Sequence, residues 1–209
     1  MPIPPNSTLV IGFLGGWEHW DDDNRGVRQT VLKLRQIPGV YAETIENHRY
    51  EMIPRLIERA LNTNGDPVLN DAERRNARVI IFGQSLGGQA TVRLARALRK
   101  RHIPVLLTVQ VDSVGPNDRT IPDNVHAAAN FYQKELLTIR GRPQIRAANP
   151  RKTKIVANKQ FHYPPFRAAA TPPKGWARRS LGGAHARMEA DPAVWADVES
   201  LIRQAIDTH

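Results

Sequence analysis

Ser85 stands in Gly83-Gln84-Ser85-Leu86-Gly87-Gly88, a G-x-S-x-G pattern. The pattern carries meaning when a strand precedes it and a helix follows, because the serine then sits on a sharp turn with its oxygen exposed. Here the apolar run 78–82 (RVIIF) precedes it. Residues 86–99 follow, with Ala90, Leu94, Ala97 and Leu98 at helical spacing. Gly83 and Gly87 leave room where side chains would clash in so tight a turn. At average glycine and serine usage about 0.07 such matches are expected by chance in a chain of this length, so composition does not explain the match. The chemistry implied is nucleophilic acyl transfer. Because the helix starts at the serine, the Leu86 N–H faces the negative charge that develops on a reacting carbonyl. A phosphate loop fits worse, since Gln89-Ala90 replace the Lys-Ser/Thr pair that would hold phosphate and magnesium.

A serine hydroxyl needs a base, and the base needs an orienting carboxylate. For a serine on a strand-to-helix elbow of this kind, the acid and then the histidine follow it in the chain. Asp112 ends the run 103–111 (IPVLLTVQV), and strand C-terminal ends are where open α/β sheets place their sites. Asp118 and Asp123 are alternatives in the same loop. His185 comes late, after Gly182-Gly183-Ala184 and on a loop before the last helix, which makes it the candidate base. His162 is its rival. The other five histidines lack such a setting, and no pair has H-x-x-x-H metal spacing. The second oxyanion donor is expected after the first strand, in Gly12-Phe13-Leu14-Gly15-Gly16. Phe13 N–H is the first choice and Leu14 N–H the alternative. Trp17, Trp20, Phe161, Phe166 and Trp176 are candidates to line an apolar substrate site or lid.

These residues need elements to position them. Strands are predicted at 8–13, 40–45, 78–82, 103–111 and 154–157, and helices at 26–35, 50–61, 86–99 and from Pro192 onward. Asp191-Pro192 has the residue types of an N-cap followed by proline at N1. Several strands are apolar throughout, as in a parallel sheet covered on both faces. The expectation is one three-layer α/β domain over 1–209, mostly parallel, with helices on both faces. Residues 161–183, rich in Pro, Arg and Gly, form a long loop and a candidate lid.

Composition sets bounds. The 209 residues suit one domain, with 41% hydrophobic and 24% charged residues. Without cysteine there is no disulfide framework, thiol nucleophile or thiolate metal site. No apolar run approaches a membrane span, and the N-terminus lacks the basic-then-apolar order of a signal peptide. A removed leader and the compartment stay open. The net charge of +10 raises the question of polyanions, but the basic residues are scattered and read as a solvated surface.

With these pieces placed, the chain resembles the α/β-hydrolase superfamily, in its small lipase, esterase and thioesterase branch. The likeness rests on GFLGG at Gly12 to Gly16, GQSLGG at Gly83 to Gly88, VDSVG at Val111 to Gly115 and HARMEADPAVW at His185 to Trp195. It implies a triad of Ser85, Asp112 and His185 and no particular substrate; the reading adopted is hydrolysis of a carboxylic ester by acyl transfer, with no cofactor. A thioesterase or acyltransferase would use the same triad, and a non-catalytic polyanion-binding protein is the remaining alternative. The chain also resembles uncharacterised bacterial members that carry a calcium-loop-like insert, here at 62–73. Asn62, Asn64, Asp66 and Glu73 fall on ligand positions, but Asn opens the loop and Pro67 stands where a glycine turn is needed. The insert is read as degenerate.

Overall fold

The computed structural model describes residues 2–134, 139–163 and 183–208. Chain order gives β1 (Thr8–Phe13), α1 (Gly26–Leu34), β2 (Val40–Ile45), a 3-10 turn (Asn47–Arg49), α2 (Ile53–Leu61), α3 (Asp71–Arg75), β3 (Val79–Gln84) and α4 (Leu86–Arg99). There follow β4 (Val105–Val111), β5 (Thr120–Ile121), β6 (Val125–Tyr132), β7 (Arg146–Ala147), β8 (Lys154–Gln160), α5 (Ala184–Ala190) and α6 (Pro192–Asp207).

Six strands form one sheet in the order β2-β1-β3-β4-β6-β8, and every neighbouring pair is parallel. β5 and β7 form a separate two-stranded ribbon. Successive side chains of a strand point to opposite faces, and β1 and β3 feed both cores. Leu9, Ile11, Phe13, Val79 and Ile81 pack with α2 and α4. Val10, Ile80 and Phe82 pack with α1 and α6 through Val27, Val31, Leu34, Val194, Val198 and Ile202. The expected three layers are therefore present. The chain runs outward from β1 to β2, then crosses back to β3 on the other side of β1. In open α/β sheets, sites lie at such a reversal, beyond the C-terminal ends of the strands on either side, here β1 and β3.

β6 has no counterpart in the predicted elements. Its Ala127-Ala128-Ala129 run lacks the β-branched signature of a strand. It is a strand because β4 and β8 pair with it on either side. The segment around His185 also differs from expectation. His185 lies in the first turn of α5 and not on a loop, since Ala184 and Met188, four residues apart, are both buried. Asp191 does cap α6, its side chain accepting from Ala193 N–H, with proline next.

Candidate active site

Register brings the two halves of the site together. Gln84 of β3 pairs with Val111 of β4, so Ser85 and Asp112 leave the sheet side by side. Ser85 N–H donates to Val111 O at 2.9 Å, and Asp112 N–H to Phe131 O at 2.7 Å. Ser85 has φ 55° and ψ −121°, outside the regions ordinary residues occupy. Such strain costs on the order of 1–3 kcal/mol and persists only where its surroundings impose it. Here the surroundings are close-packed backbone. A Cβ at Gly87 would run into the Phe13 carbonyl, and one at Gly83 into that of Gly87. The turn needs both glycines.

Ser85, His185 and Asp112 form a continuous chain. Ser85 Oγ lies 3.0 Å from His185 Nε2, and His185 Nδ1 lies 2.6 Å from Asp112 Oδ2. A carboxylate only accepts, so Nδ1 carries the proton and Nε2 is left to accept from the serine. Asp112 and His185 are buried, while Ser85 keeps 9% of its surface exposed. The carboxylate has two further donors that the sequence did not flag. Gly141 N–H reaches Oδ1 at 2.6 Å, and Gln133 Nε2 reaches Oδ2 at 2.9 Å. Gln133 follows β6, the unpredicted strand, and Gly141 sits in a loop with no pattern of its own.

The alternative residues lie elsewhere. Asp118 is buried against Ser113, whose hydroxyl donates to it at 2.7 Å, and burial pushes its carboxyl upward. Asp123 is at the opposite end of the sheet, paired with Arg99 and Lys152. His162 is exposed, 3.3 Å from the Gln160 amide.

Leu86 is the first residue of α4, where helix geometry leaves N–H groups without intrahelical partners. Phe13 is a correction. Thr8 and Leu14 donate toward β2, to Gly39 O and Ile45 O, whereas Leu9 donates toward β3, to Arg78 O. By the alternation of a parallel ladder, the Phe13 N–H faces β3 and belongs to the sheet. Leu14 N–H is likewise engaged. The backbone that meets Ser85 is two residues further on, since a Cβ at Gly15 would lie 3.2 Å from Ser85 Cβ. Gly15 N–H donates to Glu18 Oε2 at 3.0 Å. Gly16, at φ 40°, follows it, and no acceptor for its N–H occurs among the described residues.

Of the aromatic candidates, Trp17 is 92% exposed beside this loop. Trp20 is half exposed with Arg28 over its ring, and Phe161 packs edge-on against Phe131. Phe166, Trp176 and residues 164–182 of the candidate lid lie outside the described residues. In the calcium-loop-like insert, Glu73 accepts from the N–H groups of Thr63, Asn64 and Asn70 and caps α3. Asn62 and Asn64 accept from Gly65 and Asp66. Its side-chain oxygens thus close the loop on itself. A basic groove of about 810 Å³, lined by Arg75, Arg99, Lys100 and Lys152, opens at the N-terminal ends of the strands, away from Ser85. No described helix is long and apolar enough to cross a membrane.

Two solved structures share this architecture. A cutinase-like protein from Cryptococcus sp. matches with a TM-score of 0.51 at 14% identity, over 96% of this chain and 95% of that one. Human thioesterase 2 matches with a TM-score of 0.50 at 9% identity, over 97% of each chain. At such identities the likeness is one of fold, and that fold is the α/β-hydrolase fold. No family model matches the chain, and no curated protein matches it in sequence.

Proposed function

We propose that this protein is a serine hydrolase that cleaves a carboxylic ester through an acyl-enzyme. One observation carries the reading: a strained serine is joined through a buried histidine to a buried aspartate by contacts of 3.0 and 2.6 Å. A purely structural polar cluster has no need of the strained Ser85 backbone.

In this mechanism His185 Nε2 takes the Ser85 proton as Oγ attacks the carbonyl carbon. Asp112 holds the ring by Nδ1 and stabilises the imidazolium. The oxyanion is assigned to Leu86 N–H at the start of α4 and to Gly16 N–H, the residue after the Gly15 that meets Ser85. His185 then protonates the departing alkoxide, the alcohol leaves, and water attacks the acyl-enzyme with the same histidine as base. Trp17 and Trp20 are the exposed apolar groups nearest in sequence to this loop and are assigned to the acyl chain.

The test is active-site labelling with a fluorophosphonate, followed by turnover of p-nitrophenyl esters of graded chain length and of acyl-CoA. Labelling at Ser85, lost in Ser85→Ala and His185→Ala, is the expected result. Labelling that survives in Ser85→Ala would refute the assignment. Faster turnover of acyl-CoA than of any oxygen ester would move the substrate to the thioester class.

A further inference from the structure

A second cluster of charged side chains lies behind the loop that meets Ser85. Glu18 accepts the Gly15 N–H through Oε2 and faces Arg25 Nη1 through Oε1 at 3.2 Å. The same Arg25 nitrogen is 3.8 Å from Glu189 Oε2, and Arg25 Nε donates to Asp22 at 2.8 Å. Glu189 Oε1 accepts the Gly26 N–H at 3.1 Å, at the start of α1. Glu189 is on α5, one turn beyond His185, so the two side chains share a face of that helix. The cluster therefore runs from the backbone over the nucleophile to the helix of the base.

We infer that Glu18 is a positioning residue: its carboxyl, gripped by Arg25 beside Glu189, fixes the Gly15-Gly16 backbone over Ser85 in register with the helix that carries His185. This role deepens, and presupposes, the acyl-transfer chemistry proposed above. Three features support it. First, Glu18 occupies the Gly15 N–H, which leaves the next N–H, that of Gly16, for the substrate oxygen. Second, a Cβ on Gly15 would meet the Gln84 side-chain oxygen and lie 3.2 Å from Ser85 Cβ, so this loop is seated tightly against the serine and a small shift of it moves the oxyanion donor directly. Third, the arrangement is costly as mere scaffolding. Burial pushes the carboxyls of both Glu18 and Glu189 upward, and apolar residues commonly replace partly buried ionic clusters without loss of stability. Either protonation state of Glu18 keeps an oxygen for the Gly15 N–H, so the role does not depend on its charge.

The experiment compares Glu18→Ala with Glu18→Gln, which keeps an acceptor oxygen at similar reach. Displacing an oxyanion donor by a fraction of an ångström to 1 Å costs on the order of 10- to 100-fold in kcat. The expectation for Glu18→Ala is that loss with KM within about twofold, and recovery of most of it in Glu18→Gln. Amide hydrogen exchange at Gly15 should be slow in wild type and Glu18→Gln and fast in Glu18→Ala. If Glu18→Ala does not fold, Glu18→Asp, which retains charge but shortens the reach, replaces it and should show the same kcat loss. Wild-type kcat in the alanine or aspartate variant, or Gly15 exchange indifferent to residue 18, overturns the role. A wild-type protein that neither labels nor turns over would instead refute the acyl-transfer reading, and Gly15 exchange would then decide whether Glu18 holds the loop.

Discussion

Gly141 donates its N–H to Asp112 Oδ1 at 2.6 Å, across 29 residues of sequence, and so turns the other carboxylate oxygen toward His185. A Cβ at Gly141 would lie 2.7 Å from that same Oδ1 and 2.5 Å from the Asp112 carbonyl carbon. The first is the terminal atom of a carboxylate already held by Gln133 and His185, and the second is backbone, so Gly141→Ala must displace Asp112. The expected result is a kcat lower by roughly 10- to 100-fold with KM little changed, because orientation and not substrate contact is lost. Steady-state kinetics on one good ester substrate decide it, and unchanged kcat would show that Gln133 alone suffices to hold Asp112.

The two buried aspartates of the loop after β4 should separate cleanly. Asp112→Asn removes the acceptor that fixes the histidine tautomer, and a loss of about 10⁴ in kcat is expected. Asp118 bonds Ser113 and faces Arg142, with no contact to His185. Asp118→Asn should hold kcat within about threefold. A large loss there, with Asp112→Asn active, would transfer the acid role to Asp118.

The legible part of this site was the part written locally. Strand, serine and helix are contiguous in sequence, so the elbow at Ser85 could be read from residue types alone. β1, β2 and α4 fall where apolar spacing predicts them. The place of Asp112 in the fold was readable because a strand end precedes it, and the start of the last helix after His185 because Asp191-Pro192 marks it. The donors to Asp112 were not readable. Gln133 is placed by β6, whose alanines gain strand structure only from neighbours on both sides, and Gly141 is placed by tertiary packing. Phe13 was misassigned for a related reason. Sequence shows where a strand weakens, but ladder parity decides which N–H remains in the sheet.

Gly12 illustrates a glycine kept for packing. A Cβ there would lie 2.8 Å from the Phe82 ring and 2.9 Å from Val27 Cγ1, inside the core under α1. Gly12→Ala overfills that core, at a cost of about 1–3 kcal/mol. At roughly 2–4 °C per kcal/mol for a chain of this size, the melting temperature should fall by about 2–12 °C. Calorimetry checks it, and kcat per folded molecule should stay within about twofold. A specific loss of kcat at unchanged stability would return Gly12 to the catalytic loop.

Glu18 gives the stability a pH dependence of definite sign. Burial, with a smaller push from Glu189 and Asp22, raises its carboxyl from 4.5 to about 7, while Arg25 and the Gly15 N–H act in the opposite direction. A carboxyl whose pKa rises on folding binds its proton more tightly in the folded chain. Its contribution to stability is therefore fully present below about pH 4.5 and is lost as pH rises through about 7. Glutamine resembles the protonated acid and carries no such loss. Glu18→Gln should match wild type in melting temperature near pH 4.5 and exceed it by pH 8, with the gap opening between those values. Melting curves taken across that range test this; an equal gap at both ends would mean that Arg25 and the Gly15 N–H offset burial, and one of opposite sign that they outweigh it.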